Sequence, residues 1–318
     1  MPEMSLNRWA RPSVILVATD LSDLDRLMPA ALQECRESGA RLILLHVLAS
    51  GIGMSADAIG MPYYDPAEAV DFAAKALEPW QARASGQNIH CNVLVREGNA
   101  AHQIATVVRQ FNVDRILLGT RSRSKVSKLL LGSVAEQVLR SVNIPVITVG
   151  PEAHLAVGSH DQQAVVLHAT TLRETSSPSA ALACQIASSQ KAKLVLLHVL
   201  PPMDEMERDG LATGLDSFAM RELRILAAEI GATEASCCAQ IEPRVVHGNP
   251  SIEILAASVE LHAKLIVLGA TYRPALQNLT RDRTIYGVLA HARCPVLTLR
   301  VPLDATDSDA VEYLASRL

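Results

Sequence analysis

The chain alternates between short, continuous apolar runs and longer stretches in which apolar residues recur every three or four positions. Val14–Ala18 is an apolar run rich in β-branched residues and reads as a buried strand. Pro29 to Ser38 carries helical spacing at Ala30, Ala31, Leu32 and Cys35, and Gly39 stands where a helix C-cap is expected. Leu42–Leu48 predicts a second buried strand, Glu68 to Ala84 a helix bearing Trp80, and Ile89–Val95 an alternating third strand. Ala100–Phe111 predicts a helix, Arg115–Leu118 a fourth strand, Ser133–Ser141 a helix and Pro145–Val149 a fifth strand. Strands alternating with helices at this spacing imply a parallel, doubly wound sheet with helices on both faces.

The pattern then starts again. Leu42–Leu48 (LILLHVL) recurs as Leu194–Leu200 (LVLLHVL), an offset of 152. Glu97-Gly-Asn99 recurs as His247-Gly-Asn249, Arg115–Thr120 as Leu265–Ala270, and Asn143–Val149 as Arg293–Leu299, each at an offset of 150. The two-residue difference falls in the loop after the second strand. A collinear repeat this long is domain duplication rather than a short-period solenoid. The fold class expected is α/β: two tandem Rossmann-like doubly wound domains, each with a mainly parallel five-stranded sheet. The boundaries expected are 1–152, 160–302 and a tail 303–318, with a polar linker from Gly150 to Gln162. In the tail, Val311, Leu314 and Leu318 stand at helical spacing.

Composition narrows the function. Of the 318 residues, 49% are hydrophobic and only 3% aromatic, so the core is built from Ala, Val, Leu and Ile, as suits buried parallel strands. A net charge of −4 argues against a general nucleic-acid surface, which needs a basic excess. The N-terminus has no apolar core of a signal peptide, and no uncharged apolar run reaches the roughly 20 residues of a membrane span. A cytoplasmic protein is expected, with no membrane partner. Cys35, Cys91, Cys184, Cys237, Cys238 and Cys294 have neither C-x-x-C nor zinc-finger spacing, so free thiols are expected and no metal site.

Candidate chemistry concentrates after the fourth strand. Gly119 lets the backbone turn at the strand's carboxyl end, where ligands of open α/β sheets sit. Ser133 begins the next helix, whose free N–H groups suit a phosphate. Arg121, Arg123, Lys125 and Lys128 lie between them in an otherwise acidic chain. Ser133-Val-Ala-Glu136 also reads as a capping box, a role compatible with phosphate binding. Asp20 or Ser22 can equally serve as a cap of the first helix.

These residues make the chain similar to the universal stress protein family in its tandem form, over nearly its whole length. The family's nucleotide motif is G-x-x-G, nine residues, then G-[S/T]. Gly119, Gly132 and Ser133 match at that spacing, and Ser122 stands in place of the second glycine. Asp20 matches the family's acidic residue near the ribose, and Val47 a position near the base. The resemblance implies a site for ATP or another adenine nucleotide, accompanied by Mg²⁺, formed by Ala18, Thr19, Asp20, Val47, Leu118, Gly119, Arg121, Ser122, Gly132, Ser133 and Val134. It implies a stress-linked regulatory or protective role. A nucleotide-free interaction or chaperone-like protein is the alternative, and a weak ATPase a second. No P-loop, G-x-S-x-G elbow, H-E-x-x-H or adenylating motif is present, so catalytic residues are not assigned.

The second copy departs from the motif. Gly269 survives, but Tyr272 replaces the second glycine, Asp282 the third and Arg283 the serine. At the offset of 152, Leu172 stands opposite Asp20 and Glu174 opposite Ser22. No ATP site is expected there. The second copy is expected to pair with the first through Pro145–Val149 and Pro295–Leu299, as single-domain relatives pair between chains, and a homodimer is a further possibility. His46 and His198 repeat in matching strands and are read as hydrogen-bonded strand-end residues rather than ligands. Ala49–Pro66 is read as a lid, a partner surface or a connector.

Overall fold

A computed structural model describes residues 3–49, 66–120, 131–153, 163–172, 177–202, 211–233, 240–271 and 283–301. The first half runs α1 (Glu3–Ala10), β1 (Val14–Thr19), α2 (Leu24–Ser38), β2 (Arg41–Leu48), α3 (Pro66–Ser85), β3 (Cys91–Glu97), α4 (Ala100–Phe111), β4 (Arg115–Gly119), α5 (Ser133–Ser141) and β5 (Val146–Val149). The second runs β6 (Val165–Ala169), α6 (Ser177–Ser189), β7 (Lys193–Leu200), α7 (Leu211–Thr233), β8 (Ile241–His247), α8 (Pro250–Glu260), β9 (Ala263–Thr271), α9 (Arg283–His291) and β10 (Val296–Val301).

All ten strands form one sheet, in the order β3-β2-β1-β4-β5-β10-β9-β6-β7-β8. Within each half the neighbours are parallel. At the centre β10 meets β5 antiparallel, with Val296 opposite Thr148, Leu297 opposite Ile147 and Thr298 opposite Val146. The last strands therefore pair within the chain, and the two five-stranded units are continuous.

Alternation of side chains across the strands builds two apolar layers. Ile15, Val17, Leu42 and Leu44 pack with α2, α6 and α7 residues on one face. Val14, Leu16, Ile43 and Leu45 pack with α4, α5 and α8 residues on the other. Each such fully buried side chain stabilises the fold by about 1.5–3 kcal/mol.

Two expectations are corrected, and one helix is added. Helix α2 begins at Leu24, five residues before Pro29, which lies inside it. The apolar spacing marks the helix only from Pro29, but burial of Leu24, Leu27 and Met28 extends it toward the N-terminus. Helix α1 lies in a segment without an element assigned from sequence. It packs against α6 of the second half, with Trp9 against the first apolar layer. Its Arg8 pairs with buried Asp114, while buried Arg115 bonds the Trp9 carbonyl and pairs with Glu34. Finally, Cys184 is disulfide-bonded, where a free thiol was expected. Spacing along the chain carries no information on which thiols approach in space, and its partner lies outside the described residues. Cys35, Cys91 and Cys294 are free and buried. Loss of water pushes the Cys35 and Cys294 thiols up to about 12 and Cys91 to about 11, which leaves them unreactive at neutral pH.

Candidate functional site

In the order β3-β2-β1-β4-β5, chain direction around the sheet reverses between β1 and β4. The crevice at the carboxyl ends of those strands is the ligand position of this architecture. Ala18 pairs with both Leu45 and Leu118, and Thr19 with His46. Ala18, Thr19, Asp20, Val47, Leu118 and Gly119 thus share one sheet edge. Gly132, Ser133 and Val134 open α5 at that edge, because the Gly132 amide donates to the Thr120 carbonyl at 2.7 Å. That bond joins the residues on either side of the stretch 121–131. Arg121, Ser122, Arg123, Lys125 and Lys128 lie outside the described residues, as do the lid-type stretch 50–65, Tyr272, Asp282 and the tail 303–318.

The capping box is not formed. Gly132 is the N-cap of α5, with φ −59° and ψ 142°, and makes no side-chain cap bond. Ser133 is the first helical residue and is exposed. Glu136 pairs instead with Arg140, one turn on, at 2.8 Å. The pattern S-x-x-E misplaced the cap by one residue because Gly132 already has extended dihedrals. Among the described residues no side chain takes the first-turn amides of α5 or the Ser133 hydroxyl.

The loop after β1 is built around a residue in the left-handed region. Leu21 has φ 72°, and its amide donates to Thr19 Oγ1 at 2.9 Å. Asp20 Oδ1 accepts from the Ser22 amide at 2.9 Å and the Ser22 hydroxyl at 2.6 Å. Asp20 thus closes its own turn and does not cap α2, whose N-cap is Asp23. Its Oδ2 has no partner among the described residues.

Asp23 is a site residue without a sequence signal. It is 4% exposed and accepts from Thr19 Oγ1 at 2.6 Å. Its Oδ2 lies where a Cβ on residue 119 would stand, 2.3 Å away. This contact is the physical reason for glycine at position 119. Burial raises the Asp23 carboxyl above its ordinary range, the Thr19 hydroxyl opposes the shift and nearby Asp20 adds to it. Only the approach of α2 to the end of β4 brings the two together.

His46 Nδ1 donates to the Thr19 carbonyl at 2.9 Å, and His198 Nδ1 to the Thr170 carbonyl at 2.8 Å. A carbonyl only accepts, so Nδ1 carries the proton in both. Both histidines are half-buried strand-end residues that hold the β1 and β6 turns. Among the described residues no three His, Cys, Asp or Glu side chains gather as a metal site.

This pairing corrects the register assigned to the second copy. Ile15 opposes Leu42 as Val166 opposes Leu194, so the offset here is 151. Leu172 is the counterpart of Leu21: its φ is 58°, and its amide donates to Thr170 Oγ1 at 3.1 Å. Thr171, not Leu172, stands opposite Asp20, and Glu174 opposite Asp23 rather than Ser22. The second turn is intact, but it carries a hydroxyl in place of the carboxylate. Arg283 opens α9 as Ser133 opens α5.

Two doubly wound units, each with a mainly parallel sheet, define a tandem Rossmann-like α/β protein. The model of the universal stress protein family matches residues 13–150 and again 158–300, and the chain belongs to that family in tandem form. A universal stress protein of Mycobacterium tuberculosis is 27% identical over 236 residues, covering 74% of this chain and 76% of that one. A universal stress protein of Bacillus subtilis is 27% identical over 144 residues, covering 42% of this chain and 97% of that one. The crystal structure of a universal stress protein from Archaeoglobus fulgidus has a TM-score of 0.63 at 19% identity, covering 91% of this chain and 98% of that one. It supports the α/β fold of both halves. No helix among the described residues is long and apolar enough to cross a membrane.

Proposed function

We propose that the first domain binds an adenine nucleotide, ATP as the leading candidate, and that the chain acts as a stress-linked regulatory or protective protein of the cytoplasm. The observation that carries this reading is the uncapped N-terminus of α5, tied to β4 through Gly132 and Thr120 at the reversal of strand order. Its amides and the Ser133 hydroxyl take phosphate oxygens, and the helix dipole favours their charge. The free oxygen of Asp20 takes a ribose hydroxyl, and Val47 lies beside the base. Arg121 and Ser122 belong to the phosphate loop in this reading. Mg²⁺ accompanies the phosphates. The second domain binds no ATP in the same way, because Thr171, Asp282 and Arg283 replace the groups that would hold it.

Isothermal calorimetry with ATP and Mg²⁺ tests the reading. One site per chain is expected, and Gly132→Trp is expected to abolish the heat by filling the approach to the α5 amides. Unchanged affinity in that variant would place the nucleotide elsewhere. Phosphate release over hours measures any slow hydrolysis. A nucleotide-free interaction role is the second reading, favoured by two exposed aromatics on the outer helices, Phe72 and Phe218. Absence of heat with ATP, and of nucleotide in the purified protein, would favour it.

A further inference from the structure

Helix α5 carries the open amides at its N-terminus, and its other end is held by the second domain. Tyr286, on α9, packs against the apolar layer that α5 shares and lies near Glu136 and Arg140 of α5. Arg300, near the end of β10, donates from Nη1 to the Arg140 carbonyl at 2.8 Å. That carbonyl lies in the last turn of α5, where C=O groups lack helical partners and a cation complements the dipole.

The other anchor of the loop is backed from the same side. Thr120, which accepts the Gly132 amide, lies beside Gly150. A Cβ on Gly150 would stand 3.8 Å from Thr120 Oγ1, and 3.6 and 3.5 Å from the Leu289 and Ala292 carbonyls at the end of α9. Gly150 and Arg300 are the same position in the two copies, at the offset of 150. The chain thus places a cation where the second domain grips α5, and no side chain where α9 abuts Thr120.

We propose that Tyr286 and Arg300 are positioning residues through which the degenerate second domain sets the orientation of α5, and with it the affinity of the first domain's site. The affinity part rests on the nucleotide reading; the grip on α5 does not.

The test is Tyr286→Phe combined with Arg300→Ala in the full chain. In ligand-free protein the α5 amides are expected to exchange hydrogen about three- to tenfold faster, the effect of losing a hydrogen bond of this kind, while those of β1 and β2 are unchanged. ATP affinity is expected to fall by a similar factor. Arg300→Lys keeps a donor near the Arg140 carbonyl and is expected to restore most of both. Unchanged α5 exchange in the folded variant overturns the proposal, as does faster exchange with unchanged ATP affinity. If the wild-type chain binds no ATP, the nucleotide reading fails, and exchange alone decides whether the second domain holds α5. Should the double variant not fold, Tyr286→Phe, which removes one hydroxyl, carries the same measurements.

Discussion

Asp23 and His168 are buried ionisable residues that work against their charged forms. Burial holds the Asp23 carboxyl above its ordinary value of 3.8. A raised acid favours the fold when protonated, so its contribution is complete below that value and is lost as pH rises through the folded one. Asp23→Asn keeps an acceptor for Thr19 and removes the charge. It is expected to melt higher than wild type at neutral pH, with the gap closing toward about pH 4. A pH-independent difference would contradict this. His168 occupies in β6 the place of Val17 in β1, and it is fully buried. Its Nδ1 donates to the Val267 carbonyl at 3.0 Å, while Nε2 has no partner among the described residues. Burial lowers it from 6.5 to about 4. A depressed base stabilises the fold above its ordinary pKa, and that stability is lost as pH falls from about 6.5 to 4, up to about 3 kcal/mol once titrated. His168→Val, which copies the first domain, is expected to flatten this acid limb in denaturant titrations across that range. An unchanged slope would show that His168 does not control it.

Helix α5 is where an element's local signal and its role separate. Because Gly132 rather than Ser133 caps it, Ser133→Ala is expected to change stability by less than about 0.5 kcal/mol, where loss of a true N-cap costs about 1 kcal/mol. Urea unfolding distinguishes the two. If Ser133 meets a phosphate, the same variant still weakens ATP binding. Gly119→Ala is expected to act the other way. Its Cβ displaces Asp23 from Thr19 and costs about 1–3 kcal/mol, readable in the same urea curves. Elements such as α4 and α5 were legible in the sequence because their apolar stripes are strong and their ends carry Asn99 and Gly132. The α2 start was not, since it depends on what Leu24 and Leu27 meet. Nor was α1, whose partner α6 is more than 160 residues away. Of the candidate site, the positions legible in the sequence are those where the backbone demands glycine, as at Gly119 and Gly132. The site was hidden where two elements meet, as at Asp23, Tyr286 and Arg300, and one shift of register was enough to misplace Leu172.

At the scale of the molecule, the halves share one sheet and two apolar layers, and they are expected to unfold as one cooperative body. ATP at a hundred times its dissociation constant is expected to stabilise the whole chain by about 2.7 kcal/mol. The protection is expected to reach β6 and β9 in hydrogen exchange, although the proposed site lies across β5 from them. Protection confined to the first domain would show that the seam does not transmit stability.

The antiparallel join of β5 to β10 also decides what happens on dilution. Two separate chains that met through such strands would come apart as the protein became scarce, and any property needing both would fade with the square of concentration. Here the meeting is covalently guaranteed. A cell making few copies of this protein retains the same paired state in every molecule.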